Sequence, residues 1–175
     1  MSLKDKIRKE VVREYGDGYH AFGLNRVMGH IVGLLLFASE PLSLDEICQQ
    51  LGRTKGVVSQ IMRRLVERNL VRKVISTGTR KDYYEIHPNV FENAFRNNLE
   101  LIRNNTRIAH RLKDLAEQSD DKSLAPLQLR LAEMVRFYEL TEEHYENFLK
   151  AWHNEREKLH AKFSRNGKKK SLATK

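Results

Sequence analysis

One cysteine, Cys48, stands in the whole chain, so no internal disulfide can form, and a reducing compartment such as the cytoplasm is the expectation. Long apolar runs are missing too: the longest, IVGLLLF at residues 31 to 37, falls far short of the roughly 20 residues that a membrane-spanning helix needs. The opening MSLKDKIRKE is charged and has no apolar h-region, so no secretory leader is expected. Acidic residues are the minority. Lys plus Arg number 32 against 23 Asp plus Glu, for a net charge of +9 and a pI near 9.7, which favours an anionic partner, nucleic acid before a membrane surface. The chain contains no P-loop, no G-x-S-x-G and no H-E-x-x-H, so neither an enzyme nor a bound metal or cofactor is expected.

What the chain does contain is mostly helical patterning. Leu3 to Tyr15 reads as a charged helix that ends at Gly16, Asp17 and Gly18. Ala21 to Ser39 reads as a second helix, with Leu24, Val27, Met28, Ile31, Val32 and Leu35 at helical spacing. Leu42 and Ser43 form an extended link, and Ser43 caps a short helix from Leu44 to Leu51 that Gly52 closes. Thr54 is placed to cap the next helix, Lys55 to Arg68. Val57, Val58, Ile61, Met62 and Leu65 fill its apolar arc, opposite Gly56, Ser59, Gln60, Arg63 and Glu67 with Lys55 and Arg64 alongside. Val71 to Ile75 and Tyr83 to Ile86 then read as strands of a hairpin whose tip is STGTRKD. Helix, turn, helix and a hairpin with a basic tip is the order of a winged helix-turn-helix.

Beyond that head, Pro88 suits the first turn of a helix running to Gln118, and Ser119 to Ser123 break it. The last helix, Leu124 to Phe163, carries a heptad-like seam of Leu127, Leu131, Met134, Tyr138, Thr141, Tyr145, Phe148 and Trp152 that wants a partner helix, in its own chain or in a second copy. The predicted organisation is therefore mainly α. Residues 1–40 serve the scaffold and the start of the head, 41–87 form the winged DNA-binding domain, 88–163 a helical dimerisation region and 164–175 a basic disordered tail.

Charge singles out one stretch. Between Arg53 and Lys81 there are nine cations (Arg53, Lys55, Arg63, Arg64, Arg68, Arg72, Lys73, Arg80, Lys81) against one acid, Glu67. Such concentration matches the footprint of a double-stranded DNA binder rather than a mixed solvated surface. An α-helix fits the major groove, and its N-terminal half meets base edges. Gln60 can pair with adenine and Arg63 with guanine, Ser59 is indifferent, and Gly56 allows close approach. The amides near Thr54 can hold a phosphate, while Arg80 and Lys81 on the wing can reach a minor groove or its flanking phosphates. Arg53, Lys55 and Arg64 complete the candidate DNA-binding set. A rival reading is a protein-protein adapter that works through the C-terminal seam and uses its charge only for solubility.

The motifs GLNRVMG at 23 to 29, PLSLDEI at 41 to 47, TKGVVS at 54 to 59 and GTRKDYYE at 78 to 85 resemble the MarR superfamily of winged-helix transcription regulators, and within it the GbsR-like branch. The likeness covers about residues 20 to 90. Two extra residues split the first glycine-arginine element, Thr54 stands where serine is usual, and the wing lacks the D-x-R pattern of ordinary MarR proteins, so their effector pocket is not carried over. The resemblance implies a homodimeric regulator, more readily a repressor, with two winged heads on a pseudo-palindromic operator, its terminal helices associating through Leu127, Leu131, Met134, Tyr138, Tyr145, Phe148 and Trp152. A small-molecule effector of unassigned identity is compatible with that role. An aromatic cage from Tyr15, Tyr19, Phe22, Tyr138, Tyr145 and Trp152 is weighed against plain core, which is preferred. Cys48 is read as a structural thiol beside Ile47 and Leu51.

Overall fold

The computed structural model describes the backbone of residues 1–75 and 81–172, with side chains through Ser164. It divides into two units, Met1–Asn97 and Asn98–Lys175.

The first unit is the winged head. Helix α1 (Leu3–Ala21) opens on a capping box in which Ser2 and Asp5 satisfy each other's backbone amides. It does not stop at Gly16 but runs through Gly18 to Ala21. The reason lies on α2 (Arg26–Phe37), which Asn25 caps and which crosses α1 so tightly that a Cβ on Gly29 would stand 2.3 Å from the Tyr15 carbonyl oxygen. Gly16 and Gly29 serve helix contact there, while Gly18 simply continues the helix. Leu24, expected on the apolar stripe, precedes α2 and is exposed.

Leu42–Ser43 form a short strand, β1, rather than a bare link. Ser43 also caps α3 (Leu44–Leu51), with its hydroxyl and amide both donating to Glu46 and the Glu46 amide donating back, and Gly52 closes α3 in the left-handed region. Helix α4 (Lys55–Glu67) follows, then β2 (Val71–Val74) and β3 (Tyr83–Ile86). The strands form one antiparallel sheet in the order β1-β3-β2, with Leu42 opposite Tyr84 and Val71 opposite Ile86. The head's core gathers Ile31, Leu35, Ile47, Val58, Met62, Leu65 and Val71, all essentially inaccessible, so every helix from α2 to α4 contributes to it. Burying each such side chain contributes about 1.5–3 kcal/mol, which is what fixes α4 in place.

Helix α5 (Val90–Glu117) begins within the head, and Pro88 occupies the turn before it rather than its first turn. In the second unit the rest of α5 is joined through a 3-10 turn (Lys122–Leu124) to α6 (Ala125–Leu172). The α6 backbone continues past Phe163, so residues 164–172 are helical where a disordered tail was expected. The two helices run antiparallel. Arg103 pairs with Glu146 at 3.0 Å, Thr106 donates to Glu142, His110 lies 3.2 Å from Glu139, and Gln128 donates to the Ala116 carbonyl at 2.9 Å.

Candidate nucleic-acid interface

Helix α4 presents two unlike sides. Val58, Ile61, Met62 and Leu65 are buried in the core, which commits the opposite side to solvent. Arg53, Thr54, Lys55, Gly56, Ser59, Gln60, Arg63 and Arg64 are all exposed, so the sequence-predicted reading residues share one free surface. Val57 belongs with them: it is 44% exposed instead of joining the core. At 100° per residue it falls roughly 80–90° from the centre of the buried arc, beyond what a neighbouring element covers. An apolar group among polar side chains has the chemistry to meet a thymine methyl.

The start of α4 is open. Thr54 has the N-cap backbone geometry, with φ −70° and ψ 149°, but its hydroxyl makes no cap hydrogen bond, contrary to the sequence expectation. Both that hydroxyl and the first-turn amides of α4 remain available to an outside acceptor. The other end is tied down. Asn69 adopts a left-handed φ of 55° in the turn to β2, and two side chains from the first turns of α5 hold that turn: Asn93 donates to the Asn69 carbonyl at 2.6 Å and Asn97 to the Arg68 carbonyl at 3.0 Å. The His87 amide donates to the Leu70 carbonyl at 3.0 Å. An anchored C-terminus and an uncapped N-terminus aim the helix start outward.

The wing's charge differs from a simple count along the chain. Carboxylates from outside the cationic stretch fold onto it: Glu85 pairs with Arg72 across the hairpin, Asp82 lies 2.8 Å from Lys73, and Asp45 lies 2.9 Å from Lys55 and 3.5 Å from Lys81. Within α4, Glu67 stands 3.9 Å from Arg63. Among the described residues Arg53, Arg64 and Arg68 have no carboxylate partner, and they are the freest cations of the surface. The Lys55 and Asp82 contacts show in the titration of their partners. The hydrogen bond and charge of Lys55 hold the Asp45 carboxyl below the usual carboxylate range, and the Asp82 hydrogen bond raises the Lys73 ammonium. Arg80 lies outside the described residues; Lys81 is exposed at the wing's near end. Burial pushes the Cys48 thiol up, away from a reactive thiolate.

Two of the strings that carried the family likeness meet in space through their described residues. Leu42 and Ser43 pair with Tyr84 and Tyr83, and Asp45 reaches Lys81, so LSLDE braces the wing. Residues 22–82 match the model of the MarR family. YvaV of Bacillus subtilis (strain 168), whose name describes an HTH-type transcriptional regulator, is 25% identical over 92 residues, 53% of this chain and 52% of its own. OpcR of the same organism, an HTH-type transcriptional repressor, is 23% identical over 92 residues, 53% of this chain and 50% of its own. The chain therefore spans about half the length of these curated relatives. A crystal structure of a transcriptional regulator superposes with a TM-score of 0.63 at 24% identity, covering 84% of this chain and 98% of that one. That likeness is one of fold, and the matched span of the MarR model takes in α2 to β2, α4 included.

The C-terminal seam separates into two sides. Leu131 and Val135 are buried, and Met134, Tyr138, Glu142, Tyr145, Leu149 and Trp152 are half-buried along the same side of α6. Leu127 and Phe148, predicted on that seam, are exposed, as are Phe137 and Leu140. Six of the eight predicted seam residues, Leu131, Met134, Tyr138, Thr141, Tyr145 and Trp152, lie on the covered side, and Leu127 and Phe148 do not. Tyr15 and Tyr19 pack on the head's core, as plain core residues would, while Phe22 is exposed.

Proposed function

We propose that the chain is a DNA-binding transcription regulator, a repressor, that grips a pseudo-palindromic operator as a homodimer. The observation that carries this is the exposed, uncapped, cation-rich side of α4, set by a buried apolar side and flanked by a braced wing. Gln60 and Arg63 contact base edges, Val57 meets a methyl, Arg53, Arg64 and Lys81 hold phosphates, and Arg80 extends that grip at the wing tip. The name of OpcR supports the repressor sign, and the wing string GTRKDYYE supports placement in the GbsR-like branch. Two heads one helical turn apart, about 34 Å, double the base contacts and match a palindrome. The exposed apolar residues Leu127, Phe137, Leu140 and Phe148 on α6 supply a surface for the second copy, beside the covered line of Leu131, Met134, Tyr138, Tyr145 and Trp152. A small-molecule effector would act by preferring one spacing of the heads.

The same exposed apolar residues also support a second reading, an adapter that docks protein there and leaves DNA alone. Salt decides between them. Binding of the full chain to duplex DNA, followed by fluorescence anisotropy across a salt series, should lose affinity with a log-log slope of about 0.9 per phosphate contact. Replacing Arg80 and Lys81 together by Ala should weaken binding to every duplex and lower that slope by up to about 1.8. No duplex affinity, or affinity indifferent to salt, favours the adapter.

A further inference from the structure

One carboxylate sits between two of the lysines that the DNA-binding reading needs. Asp45, in the first turn of α3, places one oxygen 2.9 Å from Nζ of Lys55, at the start of α4, and the other 3.5 Å from Nζ of Lys81, beside the wing. All three residues are exposed, so the arrangement is not a buried strut of the fold. Other cations of the surface are also paired, but Arg72 with Glu85 and Lys73 with Asp82 each use a private acid on the hairpin. Asp45 is shared, and it couples the reading helix to the wing.

A phosphate arriving at either lysine meets a full negative charge already there. Either the lysine leaves Asp45, exchanging one ion pair for another, or it stays and the phosphate lies near a like charge, which is unfavourable. In both cases the lysine yields less than a free one would. We propose that Asp45 is a built-in brake on sequence-indifferent DNA binding, which holds Lys55 and Lys81 in reserve so that base contacts from α4 carry a larger share of the affinity. Binding without sequence preference draws essentially all its strength from phosphates, so it is where such a brake acts most plainly. Selectivity built by adding an unfavourable contact, rather than another favourable one, is a recognised route to discrimination.

The inference rests on the DNA-binding reading above, and its test separates the two. The probe is a short mixed-sequence duplex, titrated with the 175-residue chain over a salt series. Asp45→Asn should bind it about two- to tenfold more tightly, with a slope steeper by about 0.9 for each lysine released. Asp45→Glu, which keeps the charge, should stay close to wild type. Lys55→Ala and Lys81→Ala should each cost more affinity in the Asp45→Asn background than in the wild type, a coupling that a purely structural brace would not give. Equal or weaker binding by Asp45→Asn, with an unchanged slope, would overturn the brake and make Asp45 a positioning residue. A wild-type protein with no salt-dependent affinity for the duplex would instead defeat the DNA-binding reading itself.

Discussion

Gln60 and Arg63 sit one turn apart on the exposed side of α4. Their side chains are where base discrimination is expected: Gln60→Ala or Arg63→Ala should cost about 1–3 kcal/mol at one base position while leaving mixed-sequence affinity nearly unchanged, measured by competition between single-base operator variants. Ser43 and Glu46 make a second residue-scale case. The Ser43 hydrogen bonds hold the Glu46 carboxyl below its ordinary range, so its contribution to stability is present above the unfolded value near 4.5 and is lost as pH falls through the lower folded value. Ser43→Ala should lower stability by about 1 kcal/mol at neutral pH, and acid unfolding monitored by circular dichroism should show a smaller loss in that variant through the carboxylate range. The capping residues were legible in the sequence because Ser43 and Glu46 lie three apart before an apolar run. Val57 was not, because a helical arc drawn from sequence has no information on where its neighbours end. The pairing of Asp45 with Lys81 was equally hidden, since it exists only once β1 and β3 close.

At the scale of elements, the reading order of helix, helix, hairpin was plain from the change of apolar period, and the sheet realises it. The extra strand β1 was beyond reach: two residues carry no period, and only the register with Tyr83 and Tyr84 makes Leu42 and Ser43 a strand. The glycines of α1 misled for a physical reason, since local flexibility argues for a break while the crossing with α2 argues for continuity, and the crossing wins. Two substitutions separate these roles. Gly29→Ala would press a methyl onto the Tyr15 carbonyl, a backbone atom that cannot step aside, and should cost about 2–4 kcal/mol. Gly18→Ala meets nothing within 4 Å and lies on an exposed helical position, so it should stabilise by about 0.5–1 kcal/mol. Urea unfolding of both variants checks the pair; equal effects would mean that the crossing does not depend on the glycines.

The whole molecule combines a head whose core is complete in itself with a long two-helix unit that leaves Leu127, Phe137, Leu140 and Phe148 in solvent. The proposed function assigns that surface to a second copy of the chain. Sedimentation should give twice the monomer mass, and Phe137→Glu with Phe148→Glu should shift it toward monomer and weaken operator binding far more than mixed-sequence binding. Heptad spacing on α6 let the sequence propose a seam, but which of its residues α5 covers shows only in the fold. The central claim, that the free side of α4 reads duplex DNA from both subunits, is tested most directly by selecting bound genome fragments with the wild type and with Gln60→Ala. The account predicts a palindromic motif for the wild type that loses information at one symmetric pair of positions in the variant. The same motif from both proteins, or no motif from the wild type, would contradict it.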